Sequence, residues 1–578
     1  MTALIRHERK LLLALLLVVL VPRAQFVLHP SPGVVAAPIV DDGYYNLTIA
    51  RNLATGRGCT FDGQTVTTGF HPLAVLVSAP VFAAFGGGTT APLRVILAVY
   101  TLLATLLGWM LYRLVRRLSG PGPALAAVLL FATAPGTGLF MSTMNGCDTV
   151  FGAALLAGAV WYYLAAVREA ADPPARRYVA LGLLAGSLGL ARLDLGLFAA
   201  ALGLDLLAVR RRRGPLRPGR LALFGATGLA TIAPWIALNL ALTGRPLPDN
   251  GRAVTLISRA TAAAEVRLGE AGLLRTLGGG HRADLSGLEP YPDDRPPPAF
   301  YRTLLGHAGL AYLREAPPTG IAFTTGALLL AGLRRIGRAD VSAQLAAIGF
   351  PLAASLALGA LLAARLLLRA RRLAERPPLR SVVFLLPAGL LLFLAYPLVV
   401  FGSWFFGRYY VPLTLVTLIF TPALARVLCR TWTPGKVAVL TAVFGAAFVL
   451  DSGPALWRPG PSHFYRQAET ITARLPATAV VGAVQAGHFG FFCPQRIVNL
   501  DGKVNAAAQR ALADRRMLEY ARDEGVRFLT EWPSLAELLV FKRSDPALRS
   551  ALRRLDPPTG GPAGPGHPSW ATWQCIWE

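Results

Sequence analysis

Residues 93–114 read LRVILAVYTLLATLLGWMLYRL and are followed by Val115, Arg116 and Arg117. A helix needs about 20 predominantly apolar residues to cross a bilayer. This stretch supplies them without a proline and ends on basic residues. Its pattern recurs at 11–28, 124–140, 150–167, 178–190, 195–209 and 221–242, and again at 320–333, 343–368, 382–400, 411–428 and 437–450. The composition agrees, with 54% hydrophobic and only 15% charged residues and a mean hydropathy of +0.49. An ordinary soluble domain carries about 25% charged residues. Disordered, collagen-like and small disulfide-stapled chains are therefore excluded. The expected fold class is a polytopic α-helical membrane protein with about 11 to 13 transmembrane helices. The uncertain number lies between 302 and 382, where two apolar runs stand but alternation of sides requires an odd count.

Lys and Arg number 57 against 31 Asp and Glu, a net charge of +26. The basic residues sit between apolar runs, as at Arg116-Arg117, Arg210 to Arg213, and Arg369, Arg371 and Arg372. That is the mark of cytoplasmic membrane edges. No aromatic-rich basic groove accompanies the charge, so nucleic acid is not an expected partner. The basic N-terminus places the first run as an uncleaved span leading outward. Segments 34–91, 141–149, 192–194, 244–302 and 403–410 then fall outside, and 168–177, 210–220 and 430–436 inside. The apolar stretch 73–85 would break this alternation if it crossed, and is expected in the outer interface. The expected division is a transmembrane module over 1–450, with outer loops 29–92 and 244–318, and a soluble extracytoplasmic α/β domain over 451–578. In that domain 479–484, 497–500 and 526–529 read as strands and 506–523 as a helix. The five cysteines show no metal-ligand spacing. Cys493 and Cys575 lie in the tail and are able to pair if it is extracytoplasmic.

The chemistry begins at Asp41-Asp42. In the run that follows, Tyr45, Ile49 and Leu53 recur at helical spacing, and Gly56 closes it. The two carboxylates thus sit at the positive N-terminus of a short amphipathic helix. One reading is a helix cap. The other is a general base, since adjacent like charges raise one pKa while the helix end lowers both. The residues alone leave both open. Asn46-Leu47-Thr48 matches a glycosylation acceptor but lies inside this helix, and is read as chance. No phosphate-cradling glycine loop or dinucleotide fingerprint in a suitable context occurs, so a nucleotide-sugar donor is unsupported.

Asp41-Asp42-Gly43-Tyr44-Tyr45, Thr60-Phe61-Asp62-Gly63 and Thr68-Gly69-Phe70-His71-Pro72 resemble the first outer loop of bacterial type-C (GT-C) glycosyltransferases, the polytopic enzymes of the protein mannosyltransferase and aminoarabinose transferase kind that use polyprenyl-phosphate sugars. Asn145-Gly146-Cys147-Asp148-Thr149 resembles the family's small-polar-acid-Thr motif, with Asp where Glu is commoner. Ala191-Arg192-Leu193-Asp194 resembles its Arg-x-acid motif, with Leu where Pro is usual. The stretch 239–251 is similar to the outer end of its seventh span. Trp404 to Pro412, with Arg408-Tyr409, resembles a late Arg-Tyr motif, and 482–505 its C-terminal outer domain. The resemblance covers most of the chain, and its first and last motifs are the specific ones.

What it implies is an inverting glycosyltransferase. A sugar would move from a polyprenyl-phosphate donor to a hydroxyl of an envelope glycan, lipid or protein, on the outer face of a bacterial cytoplasmic (inner) membrane. By that likeness Asp41 deprotonates the acceptor hydroxyl and Asp42 binds the acceptor or tunes its neighbour. Arg408, then Arg192, are the candidate cations for the lipid phosphate, since a guanidinium binds phosphate oxygens through two parallel hydrogen bonds. Against this, Arg408 can snorkel to headgroups and Arg192 can pair structurally with Asp194. His71 either touches donor phosphate or sugar or makes a structural contact. Asp148 either joins the acidic cluster or caps the helix beginning at Thr149. Tyr44, Tyr45, Trp404 and Tyr409 either stack on sugar or belong to the interfacial aromatic belt; Asn499 and Asp501 read as turn residues. No cofactor is required; the acids leave room for a divalent metal, though an inverting base needs none. Two other readings compete. A transporter or flippase would show repeated halves and mid-span acids, and neither is seen. A degenerate, lipid-binding member is suggested by Cys147, Asp148 and Leu193, and opposed by the intact acidic pair.

Overall fold

The computed structural model describes residues 2–133, 138–213, 217–248, 250–259, 301, 305, 309, 312, 381–400, 407–428, 459–555 and 570–577. The apolar runs at 320–333, 343–368 and 437–450, Trp404, the loop 557–569 and the boundary at 451 lie outside the described residues.

The described residues of the seven apolar runs before residue 243 are helical. They form α1 (Thr2–Leu28), α5 (Thr90–Ser119), α6 (Pro121–Thr133), α8 (Thr149–Tyr162), α9 (Ala175–Ala191), α10 (Gly196–Arg213) and α11 (Pro218–Thr243). Short helices α2 (Pro32–Ala36), α3 (Asp41–Ala54), α4 (Pro72–Ala84) and α7 (Gly138–Ser142) lie between them. Later come α12 (Leu385–Ala395) and α13 (Gly407–Leu428). Among the described residues four helices are long and apolar enough to cross a membrane, His7–Leu28, Thr90–Ser119, Thr149–Arg168 and Pro218–Thr243. The protein is thus a multi-pass membrane protein. The sequence did not foretell the π-helical turns Tyr163–Arg168 and Tyr396–Val400 that continue α8 and α12. α4 opens with Pro72, whose missing N–H costs nothing at a helix start, and is too short to span, as expected of an interfacial helix.

Of the segments expected inside, the described residues of 168–177 and 210–220 lie among ion pairs of the basic helix ends. There Arg116 Nε meets Glu8 Oε1 at 2.6 Å, Arg168 meets Asp205 at 2.9 Å, and Arg217 meets Asp172 at 2.9 Å. Of the segments expected outside, described residues of 34–91, 141–149, 192–194 and 403–410 meet around the start of α3.

The C-terminal unit is built on a five-stranded sheet in the order β2-β1-β3-β5-β4. Strands β1 (Val480–Ala483), β2 (Arg496–Asn499) and β3 (Phe528–Glu531) are parallel, with Val481 opposite Ile497 and Phe528. β5 (Ala571–Cys575) and β4 (Leu552–Arg554) add an antiparallel edge that the sequence reading did not contain. The single helix expected at 506–523 is two, Ala506–Ala513 and Met517–Asp523. The break is at Arg515, whose φ of 57° no helix accommodates. Cys493 and Cys575 are both free thiols and do not pair. Leu256 and Ile257, from the segment after α11, pack on this domain's core.

The domain sits directly on α3. Val481, Phe489 and Phe491 share one buried core with Tyr44, Tyr45 and Phe82. Gly487 lies so close that a Cβ there would stand 2.0 Å from the Asp41 backbone oxygen, and one on Gly69 would stand 1.7 Å from the Lys503 oxygen. Only glycine fits such contacts. The expected amphipathic α3 is therefore buried on almost every side, with its polar face covered by the domain and by the loop at 60–61. Asn46 and Thr48 are buried, and Asn52 Nδ2 donates to the carbonyls of Thr60 at 2.9 Å and Phe61 at 3.1 Å.

Candidate active site

α3 begins at Asp41, with Val40 extended before it, so both carboxylates stand in its first turn. The Val40 N–H donates to the Asn145 carbonyl at 3.1 Å. Arg23, buried in α1, donates to Thr143 Oγ1 at 2.8 Å. Those bonds pin the 143–148 segment beside the acidic pair.

The two acids have separate surroundings. Asp41 accepts from the backbone N–H groups of Gly487 at 3.2 Å and His488 at 2.9 Å, and lies 3.2 Å from His488 Nδ1. It caps the short helix Gly487–Phe492. His488 is buried beneath Phe464, with ring centroids 4.8 Å apart, and burial outweighs Asp41 in holding its pKa below the ordinary value. Asp42 instead faces cations. Its Oδ2 accepts from Arg408 Nη2, and its Oδ1 lies 2.9 Å from Lys503 Nζ. Burial opposes its charge, yet Lys503 and Arg408 hold the carboxyl well below the usual carboxylate range. Lys503 in turn is 3.4 Å from Asp501 Oδ2. Burial favours its neutral form, but Asp42 and Asp501 raise its pKa above the ordinary lysine value.

From Arg408 the network runs to the other candidates. Arg408 Nη1 donates to Cys147 Sγ at 3.4 Å, and its guanidinium lies 5.1 Å from the Tyr409 ring centre. Arg192 Nη1 donates to the Arg408 carbonyl at 3.0 Å. Its other nitrogens form a fork on Asp194, at 3.0 and 2.6 Å, and Nη2 also reaches the Tyr396 hydroxyl at 3.0 Å. Asp148 Oδ2 is 3.5 Å from Arg192 Nε and 3.9 Å from His71 Nε2. No hydrogen bond satisfies that buried Asp148 oxygen.

The fold thus brings Asp41, Asp42, His71, Asp148, Arg192, Arg408 and Tyr409 into one continuous cluster. The structure corrects the reading of Tyr44. Its hydroxyl donates to the Ala36 carbonyl at 3.1 Å, its ring packs on His488, Phe491 and Phe492, and it is 0% exposed. It is a joint residue with no face left for a sugar. Arg192 makes the ion pair with Asp194 that sequence offered as its structural alternative. Asp148 makes no side-chain bond to the α8 N-terminus, so it joins the cluster and does not cap. Lys503, His488 and Tyr396 were missed. A divalent ion does not fit the acidic pair, because both oxygens of Asp42 face cations and both of Asp41 take N–H donors. Among the described residues no three His, Cys, Asp or Glu side chains converge on a metal site.

Comparison with known proteins bears on this arrangement. Residues 71–237 match the sequence profile of the dolichyl-phosphate-mannose-protein mannosyltransferase family. That stretch carries His71, Asp148 and Arg192, but neither the acidic pair nor Arg408. No curated protein matches the chain in sequence. The apo crystal structure of the Archaeoglobus fulgidus oligosaccharyltransferase matches over 91% of this chain and 69% of that one, with 15% identity and a TM-score of 0.50. AglB of the same organism, in complex with an inhibitory peptide and a dolichol-phosphate, matches over 96% and 74%, with 14% identity and a TM-score of 0.51. ArnT from Cupriavidus metallidurans, bound to undecaprenyl phosphate, matches over 99% and 98%, with 14% identity and a TM-score of 0.43. The chain has the fold of a type-C glycosyltransferase, a polytopic helical module with a small C-terminal sheet domain set against its acidic end.

Proposed function

We propose that this protein is an inverting glycosyltransferase that moves a sugar from a polyprenyl-phosphate donor to a hydroxyl of a cell-envelope acceptor, outside a bacterial cytoplasmic membrane. The observation that carries the reading is the convergence of Asp42, Arg408 and Lys503, from three distant segments, at the end of the bundle where the expected outer loops meet. The dolichol-phosphate and peptide held by AglB support a lipid-phosphate donor and a separate acceptor.

The chemistry follows from the geometry. The acceptor oxygen attacks the anomeric carbon, the carbon–oxygen bond to phosphate breaks, and the prenyl phosphate leaves with the electron pair. The acceptor proton passes to a carboxylate. The likeness to the family gave that role to Asp41, but its oxygens hold the soluble domain. Asp42 has the cationic cleft before it and a side chain 22% exposed, so the role falls to Asp42. Because base and leaving group lie on opposite faces of the sugar, the Asp42–Arg408 contact opens when donor binds. A positioned base contributes roughly 10²–10⁴ in rate. Envelope glycans of a deletion strain test the reading. The wild-type gene should restore a missing glycan and Asp42→Asn should not, at equal membrane levels of protein. Full restoration by Asp42→Asn would refute it.

A further inference from the structure

We propose that Lys503, carried by the soluble domain, binds the donor phosphate together with Arg408, and that this binding converts Asp42 from their counter-ion into the base. The proposal rests on the glycosyltransferase reading.

Three observations lead to it. Two cations from two modules approach the two oxygens of one carboxylate, Arg408 at Oδ2 and Lys503 at Oδ1. The Lys503 side chain is 23% exposed against 10% for Arg408 and 5% for Arg192, so it is the most accessible of the three. Its loop is also built to hold it there. Gly502 has φ +77° and its N–H donates to Asn499 Oδ1 at 3.0 Å. The Lys503 N–H donates to Asp501 Oδ1 at 2.8 Å, and Tyr45 of α3 bonds Asp501 and Asn499 through its hydroxyl, at 3.3 and 3.1 Å. The ammonium is thus preorganised by the same helix that carries Asp42.

This arrangement cannot act as it stands. A carboxylate between two cations is a poor base, and cations spent on a carboxylate do not grip phosphate. A phosphate entering beside Lys503 and Arg408 resolves both defects, because it replaces Asp42 as their partner. The charge also matches the reaction's direction. The donor phosphodiester carries one negative charge, and the departing phosphate monoester carries about −1.5 to −2 at neutral pH. Two cations therefore hold the leaving group more tightly as it departs than in the bound donor, which is the condition for accelerating the chemical step.

The test uses the full chain in nanodiscs and undecaprenyl phosphate as the probe, with affinity and thermal midpoint measured for each variant. Lys503→Met should weaken binding roughly tenfold, the scale of one charge-assisted contact, and Lys503→Arg should restore most of it. Asp42→Asn, which removes the competing carboxylate and leaves the lysine loop intact, should bind the probe more tightly than wild type. A lysine that only docks the domain would behave otherwise. Lys503→Met would lower the thermal midpoint without changing affinity, and Asp42→Asn would not tighten binding; that pair of results overturns the proposal. Absence of binding by the wild-type chain would instead overturn the lipid-phosphate donor itself, so the two failures are distinguishable.

Discussion

Asp41 and Asp42 are neighbours in sequence with different partners, and single substitutions should separate them. Asparagine at position 41 would turn an amide N–H₂ toward donors that need an acceptor, either the Gly487 or the His488 N–H. Such a mismatch costs about 1–3 kcal/mol, so Asp41→Asn should lower the thermal midpoint of the whole chain and reduce transfer only in part. Asp42 should also show itself in pH dependence. Its carboxyl titrates below the usual range, with burial overridden by Lys503 and Arg408. The acid limb of kcat/KM reports the free enzyme's base, and in wild type it should lie below about pH 4. Lys503→Met removes one of the charges that depress this pKa, so the limb should move to higher pH. A limb that stays in place would detach Asp42 from the proton transfer. At this scale the sequence displayed the acids and Arg408 but not their partners. Asp42 and Lys503 are 461 positions apart, and a lysine in a turn carries no local mark of the carboxylate it will meet. The place of Tyr44 in the joint was hidden for the same reason. An exposed sugar-stacking tyrosine and a buried joint tyrosine look alike until the domain that covers one is placed.

At the scale of elements, the joint between α3 and the sheet domain is the sensitive part. The glycines at 69 and 487 are positions where backbone touches backbone. Gly487→Ala must push the Asp41 turn away from the sheet domain, at a cost of about 1–3 kcal/mol for an overpacked contact. Proteolysis of the C-terminal domain should accelerate, and transfer should fall with it, while the helical bundle stays intact. Unchanged protease resistance would show the joint to be looser than these contacts describe. Helices were the legible elements, because hydrophobic length alone signals them. α3 was legible in its limits and helical type, and its burial was not, since the face that reads as polar is covered by partners from residues 484–503 and from the loop at 60–61. The antiparallel strands β4 and β5 escaped notice because one is only three residues long and the other follows a Gly/Pro-rich stretch, where periodicity gives no warning of a further strand.

For the whole molecule, the prediction concerns sides. Asp172 and Asp523 are 55% and 61% exposed, at the basic end and on the sheet domain respectively. Cysteine introduced at position 523 should react with a membrane-impermeant maleimide added to intact spheroplasts, and cysteine at 172 only after permeabilisation. The reverse pattern would invert the orientation that the arginines indicate. The arginines between apolar runs predicted which loops share a face, and the described parts of 34–91, 141–149, 192–194 and 403–410 meet in one cluster. Nothing in the sequence measured how the sheet domain completes that cluster, because the contacts join segments that share no periodicity.

The account rests on Asp42 as the carboxylate that takes the acceptor's proton. Its most direct test is single-turnover sugar transfer by the full chain reconstituted in nanodiscs, from a polyprenyl-phosphate sugar donor identified through the glycans missing in a deletion strain. The account predicts that Asp42→Asn lowers the rate roughly 10²–10⁴-fold while the donor stays bound, and that Asp41→Asn retains a substantial fraction. Transfer by Asp42→Asn at the wild-type rate, or a loss confined to Asp41→Asn, would contradict it.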